Sequence, residues 1–184
     1  AAINFLKKTK IENIKIDITQ SKKELKIQII VEGLVLGNYE FLKYKSATNE
    51  EKIKDIEICI DSSSKTKEEL EENLKKALII CNSVNYTKDI VNSSPEDYYP
   101  QIMADDALKI AQNNKNIECK IFGEDYLKEK SMNAMLSVGI ASPHESKLIH
   151  LTYKTKNPIA KIVLVGKGVT YDTGGMSLKR GDGM

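Results

Sequence analysis

Apolar residues recur along this chain with two periods, and the switch between them predicts its elements. Ile14, Ile16 and Ile18 alternate with polar residues, the two-residue period of a half-buried strand. From Ser21 the spacing lengthens through Leu25, Ile29, Ile30 and Leu34, which predicts a helix ending near Gly37. The segment NYEFLKYKS is a connection, and Ile53, Ile56, Ile58 and Ile60 mark a second strand. At the start, Ile3 and Leu6 stand one turn apart, so the chain opens as if inside a helix and residues before Ala1 are expected.

A composition shift follows at DSSSKTKEELEENLKK. Thr66 with Glu69 three residues later is a capping box, in which each side chain bonds the other's backbone amide. Leu70, Leu74, Ala77, Leu78, Cys81 and Val84 then share one face of a helix that runs toward Val91, where NSSPEDYYP stops it. So long a helix with polar flanks is a natural connector. The expected organisation is an amino-terminal α/β domain over 1–64, a connector helix over 65–92 and a second α/β domain over 93–184.

In the second domain Ile102, Ala107, Leu108 and Ala111 predict a helix, IECKIF a strand, and Glu124 to Lys130 a short helix. Leu148 to Tyr153 alternates as a further strand. Lys161 to Val165 is almost continuously apolar, as expected for a strand in the middle of a covered sheet.

Composition narrows the function classes. Of 184 residues, 41% are hydrophobic, which supports a packed core. The longest apolar stretch, Ile27 to Leu36, is interrupted by Glu32 and Gly33 and is too short to span a membrane. The opening residues lack the pattern of a signal peptide. With 28 basic and 26 acidic residues the net charge is +2, so no pull toward nucleic acid or anionic lipid is expected, and the cluster Lys7, Lys8 and Lys10 is read as solvated surface. Cys59, Cys81 and Cys119 form no CxxC pair, which fits reduced thiols; Cys59 and Cys81 are read as small core residues. His144 and His150 are the only histidines, too few for a histidine-built zinc site. His144 is expected at the surface and His150 in a strand beside the core.

The chemistry concentrates in KIVLVGKGVTYDTGGMSLKRGDGM. An apolar strand leads into Gly166, Lys167 and Gly168; Asp172 precedes Thr173, Gly174 and Gly175; Lys179 comes seven positions after Asp172. Ligand sites of α/β proteins gather at the carboxyl ends of strands, and glycines allow close backbone approach, so lysine and aspartate can be held inward. A glycine-rich turn with surface lysines is the alternative. A phosphate-binding loop needs GxxxxGK[ST], which Gly166-Lys167-Gly168 does not satisfy. An aspartic-protease reading of Asp172-Thr173-Gly174 needs paired carboxylates in an all-β fold, against the helix-strand alternation. Asp182 in GDGM is read as a solvated turn residue and Tyr171 as a packing residue.

The stretch VGKGVTYDTGGMSLK strongly resembles the signature of the leucyl aminopeptidases, cytosolic two-metal exopeptidases, and most resembles their bacterial branch. VEGLVLGNYEFLKYKS, KDIVNSSPEDYYP and MNAMLSVGIASPHESKLIHLTYK are similar to other stretches of that family, so the likeness covers most of Val31 to Lys179. It implies a remnant of a macro-like amino-terminal α/β domain, the connector helix and the first part of an α/β/α catalytic domain. It also implies roles for three residues. Lys167, as a neutral amine, would ligate a metal; Asp172 would bridge two metals; Lys179 would stay charged and polarise the scissile carbonyl. The implied cofactors are two divalent ions, manganese or zinc, with magnesium a further candidate. The implied substrate is a peptide with leucine favoured at its amino terminus, cleaved by a metal-activated water in a cytoplasmic homohexamer.

The family continues with a further aspartate and a segment of the form NTDAEGR, which supplies two more carboxylate ligands and a catalytic arginine. Nothing before Met184 matches it. Lys167 and Asp172 alone are too few to hold two metals, so this polypeptide by itself is expected to be inactive or nearly so. A non-catalytic fragment or binding module that keeps the α/β fold is the alternative.

Overall fold

The computed structural model describes residues 3, 6, 9, 11–19, 27–46, 53–60 and 66–182. Helix and strand are mixed, as an α/β chain requires, and the chain divides into two units, Ala1–Asn92 and Ser93–Met184.

In the first unit β1 (Asn13–Asp17) pairs in parallel with β2 (Asp55–Cys59), with Ile14 opposite Ile56 and Ile16 opposite Ile58. Parallel neighbours need a crossover, and α1 (Ile27–Gly37) lies between them in sequence. Of the alternating isoleucines, Ile14, Ile16, Ile56 and Ile58 pack with Leu6 and Ile30 around the buried Ile3, Leu34 and Ile53, while Ile18 and Ile60 lie just past the strand ends. The predicted start of α1 at Ser21 and Leu25, and the lysine cluster Lys7, Lys8 and Lys10, lie outside the described residues.

The long helix α2 (Lys67–Asn92) packs against α1 and buries Ala77 and Cys81 completely, small side chains that let two helix backbones approach. Its start carries the predicted capping box. The Glu69 amide donates to Thr66 Oγ1 at 3.3 Å, and the Thr66 amide donates to a Glu69 carboxylate oxygen at 3.2 Å. It ends three residues before Pro95, since the residue preceding proline resists the helical region. Cys59 is half-buried at the end of β2.

The second unit is built on β3 (Ile117–Phe122) and β4 (Leu148–Tyr153), antiparallel with Cys119 opposite Leu151. Helix α3 (Pro100–Gln112) starts on a proline, whose missing N–H costs nothing there, and packs its buried Ala104 and Ala107 side against this antiparallel pair. Helices α4 (Glu124–Glu129) and α5 (Asn133–Gly139) follow β3. The sequence predicts α4 but not α5. Leu127 of α4 is fully buried. The amino end of α4 is capped from a distance: the Glu124 amide donates to a Glu145 carboxylate oxygen at 2.7 Å, and the Ser146 amide returns to Glu124 at 3.2 Å.

Three expectations are corrected here. Lys161–Val165 forms no strand, and Ile162, Val163, Leu164 and Val165 are 84%, 69%, 91% and 93% exposed. A strand exists only through a ladder to a neighbour, and among the described residues no strand lies along this segment. His144 is half-buried, its ring stacked on Tyr99 with centroids 3.8 Å apart. His150 lies in β4 but on its exposed side, within 3.4 Å of the Thr152 hydroxyl.

Candidate functional site

The segment from Gly166 to Asp182 contains no helix or strand, so its shape is set by side-chain and backbone bonds within the loop. Asp172 organises it. One carboxylate oxygen accepts the Gly174 amide at 2.9 Å, a local turn typical of aspartate, and the other accepts the Lys179 ammonium at 2.8 Å. The Lys179 amide closes the loop by donating to the Thr173 carbonyl at 2.8 Å. Both ends of Lys179 are therefore tied to the Asp172–Thr173 pair.

Glycine is required at one position of this turn. Gly174 has φ +95°, and a Cβ there would meet the Ser177 carbonyl at 2.5 Å and the Lys179 side chain at 2.8 Å. Gly175 also has a positive φ, +77°, but open space around it.

The Asp172 carboxyl is held below its ordinary value, chiefly by the hydrogen bond from Lys179 and next by the Gly174 amide; the Lys167 ammonium adds a smaller through-space attraction. Asp172 and Lys179 thus meet directly, with Lys167 contributing only by its field. The loop is open to solvent: the side chains of Asp172 and Lys179 are 53% and 38% exposed. The expectation of lysine and aspartate held inward at the end of a covered strand is therefore not met, since residues 161–165 supply no strand. Tyr171, expected to pack, is 60% exposed, and Asp182 lies in an exposed turn. The contributions of the Gly174 amide and the Thr173 carbonyl were not predicted. Backbone groups leave no mark in residue type, and the paired glycines were their only signal.

Among the described residues no group of three or more His, Cys, Asp and Glu side chains is arranged to hold a metal ion. No helix among them is long and apolar enough to cross a membrane.

Comparison with known proteins accounts for this loop. Residues 85–184 match the model of the cytosol aminopeptidase family, catalytic domain, and residues 1–48 match the same family's N-terminal domain. A probable cytosol aminopeptidase of Campylobacter jejuni is 47% identical over 161 residues, covering 84% of this chain and 33% of that protein. Another from Wolinella succinogenes is 40% identical over 192 residues, covering 100% of this chain and 38% of that protein. A third, from Persephonella marina, is 35% identical over 188 residues, with 100% and 37% covered. The chain spans between 30% and 38% of the length of such relatives. With both family models matched and the signature loop intact, the chain belongs to the cytosol aminopeptidase family.

Proposed function

We propose that this chain is the amino-terminal and early catalytic part of a metal-dependent aminopeptidase that releases amino-terminal residues, leucine favoured, from peptides. The observation that carries the reading is the signature loop itself, in which Asp172 and Lys179 pair at 2.8 Å inside a stretch matched by the catalytic-domain family model. The same reading takes residues 1–64 as a macro-like domain, 65–92 as its connector and 93–184 as the start of an α/β/α catalytic domain. It places the whole protein in the cytoplasm as a homohexamer.

The donors present suit a divalent ion in kind and fall short in number. Asp172 offers a hard carboxylate oxygen, and Lys167 could ligate only after losing its proton. Bound metal would supply an activated water for attack on the first peptide bond. Asp172 would be its bridging ligand and Lys167 a further ligand, leaving Lys179 as the catalytic residue. An ammonium at that position can stabilise negative charge developing on the scissile carbonyl oxygen. In the loop as it stands, Lys179 spends that charge on Asp172, so its use on a substrate requires the pair to open.

The 184-residue chain is therefore expected not to hydrolyse leucine amide when manganese or zinc is added. Turnover by the bare chain would overturn that expectation. In a longer parent chain, Lys179→Ala should lower kcat far more than it weakens metal binding. Equal loss of both would remove the role given to Lys179.

A further inference from the structure

We propose that the Lys179 ammonium and a divalent metal ion compete for the Asp172 carboxylate, so that the lysine is freed for substrate only as the carboxylate turns to metal. This rests on the aminopeptidase reading above and adds to it the order in which the loop is armed.

Both oxygens of Asp172 are engaged. Oδ1 accepts the Gly174 amide at 2.9 Å, and Oδ2 accepts the Lys179 ammonium at 2.8 Å. A carboxylate that bridges two ions lends an oxygen to each, so the oxygen held by Lys179 is one that bridging needs. The two present partners differ in how they oppose a cation. The Gly174 amide carries no net charge and leaves its oxygen a second lone pair. The Lys179 ammonium is a full positive charge at contact distance, and a divalent ion approaching the same oxygen meets its repulsion as well as its bulk.

The anchoring of Lys179 makes the exchange local. Its amide donates to the Thr173 carbonyl at 2.8 Å, a bond that does not involve the side chain. The ammonium can therefore leave Asp172 while the backbone of Lys179 stays beside the Asp172–Thr173 pair, and the side chain, 38% exposed, has solvent to move through. Among the described residues, the charges acting on Asp172 are those of Lys179 and, more weakly, Lys167; that of Arg180 is not one of them. Competition is reciprocal: metal loosens the lysine by the factor by which the lysine weakens metal. Because the pair is partly exposed, that factor is about two to five. Loss of the ammonium then costs turnover without costing metal.

The experiment is a titration of the ¹⁵N-labelled chain with Mn²⁺, reading the paramagnetic loss of the Gly174 amide signal. Lys179→Met keeps the side-chain length and the backbone bond but removes the ammonium. It should reach half-loss at about two- to fivefold lower Mn²⁺ than the unaltered chain. Lys179→Arg keeps the charge and should show no gain. Arg180→Met removes the same charge without releasing Asp172 and should gain less than Lys179→Met. No gain in Lys179→Met, or an equal gain in Arg180→Met, would overturn the proposal. So would an undiminished Gly174 signal at millimolar Mn²⁺ in both the unaltered chain and Lys179→Met. Asp172→Asn separates this failure from that of the aminopeptidase reading. Signal loss that persists in Asp172→Asn would take the metal away from Asp172 and sink both. Signal loss abolished in Asp172→Asn, with no gain in Lys179→Met, would sink the competition alone.

Discussion

The carboxylate of Asp172 and the ammonium of Lys179 lie 2.8 Å apart across seven residues, and the chain reverses between them at Gly174. That geometry makes the two adjacent glycines unequal. Gly174→Ala would put a Cβ 2.5 Å from the Ser177 carbonyl as well as in the left-handed region, where an L-residue costs about 1–2 kcal/mol. Gly175→Ala bears only the conformational cost. Amide hydrogen exchange at Lys179, whose N–H bonds the Thr173 carbonyl, should therefore speed up strongly in Gly174→Ala and less in Gly175→Ala. The opposite order would show that the turn is not shaped as described.

Glu145 gives a pH dependence. Its carboxyl is held below the ordinary 4.5 first by Lys147 and next by the Glu124 amide at the start of α4. A depressed folded value means that the stabilisation is fully present above the unfolded value and is lost as pH falls through the folded one. The midpoint at which the Glu124 amide resonance moves should lie below the ordinary 4.5. Gly123→Ala, whose Cβ would stand 2.6 Å from the Glu145 carboxylate, should bring the midpoint back toward the ordinary value. A midpoint above 4.5 in the unaltered chain would contradict the cap.

The capping box at the start of α2 is testable by one atom group. Thr66→Ala removes the acceptor of the Glu69 amide and should cost about 0.5–2 kcal/mol in urea unfolding of the first unit. Thr66→Ser keeps the oxygen and should recover most of it. Equal loss in both variants would point to the threonine methyl instead.

Burial separates two aliphatic residues of the second unit. Leu127 is fully buried, so Leu127→Ala should cost about 2–5 kcal/mol through lost contacts and an unfilled cavity. Ile162 is 84% exposed, and Ile162→Ser should change stability by no more than about 0.5 kcal/mol. Comparable losses for both in urea unfolding would mean that 161–165 is packed after all.

Local signals were the legible part of this fold. The alternation at Ile14 and Ile16, the Thr66–Glu69 spacing and the 26-residue α2 each follow from residues within a few turns of one another. Helix α5 was not read from the sequence, and the cap on α4 comes from Glu145, 21 residues away. The motif from Val165 to Lys179 was legible as chemistry, while the pairing of Asp172 with Lys179 was not, because residue type does not say which oxygen meets which ammonium.

By itself, then, the amino-acid order indicated α2, α3, α4 and the two-residue alternations, and which loop carries the lysines and aspartate. It did so because backbone periodicity and capping are short-range. Tertiary structure alone decided which apolar runs find partners. Ile117–Phe122 becomes a strand because Leu148–Tyr153 lies beside it, and Ile162–Val165, no less apolar, stays irregular where no ladder is offered.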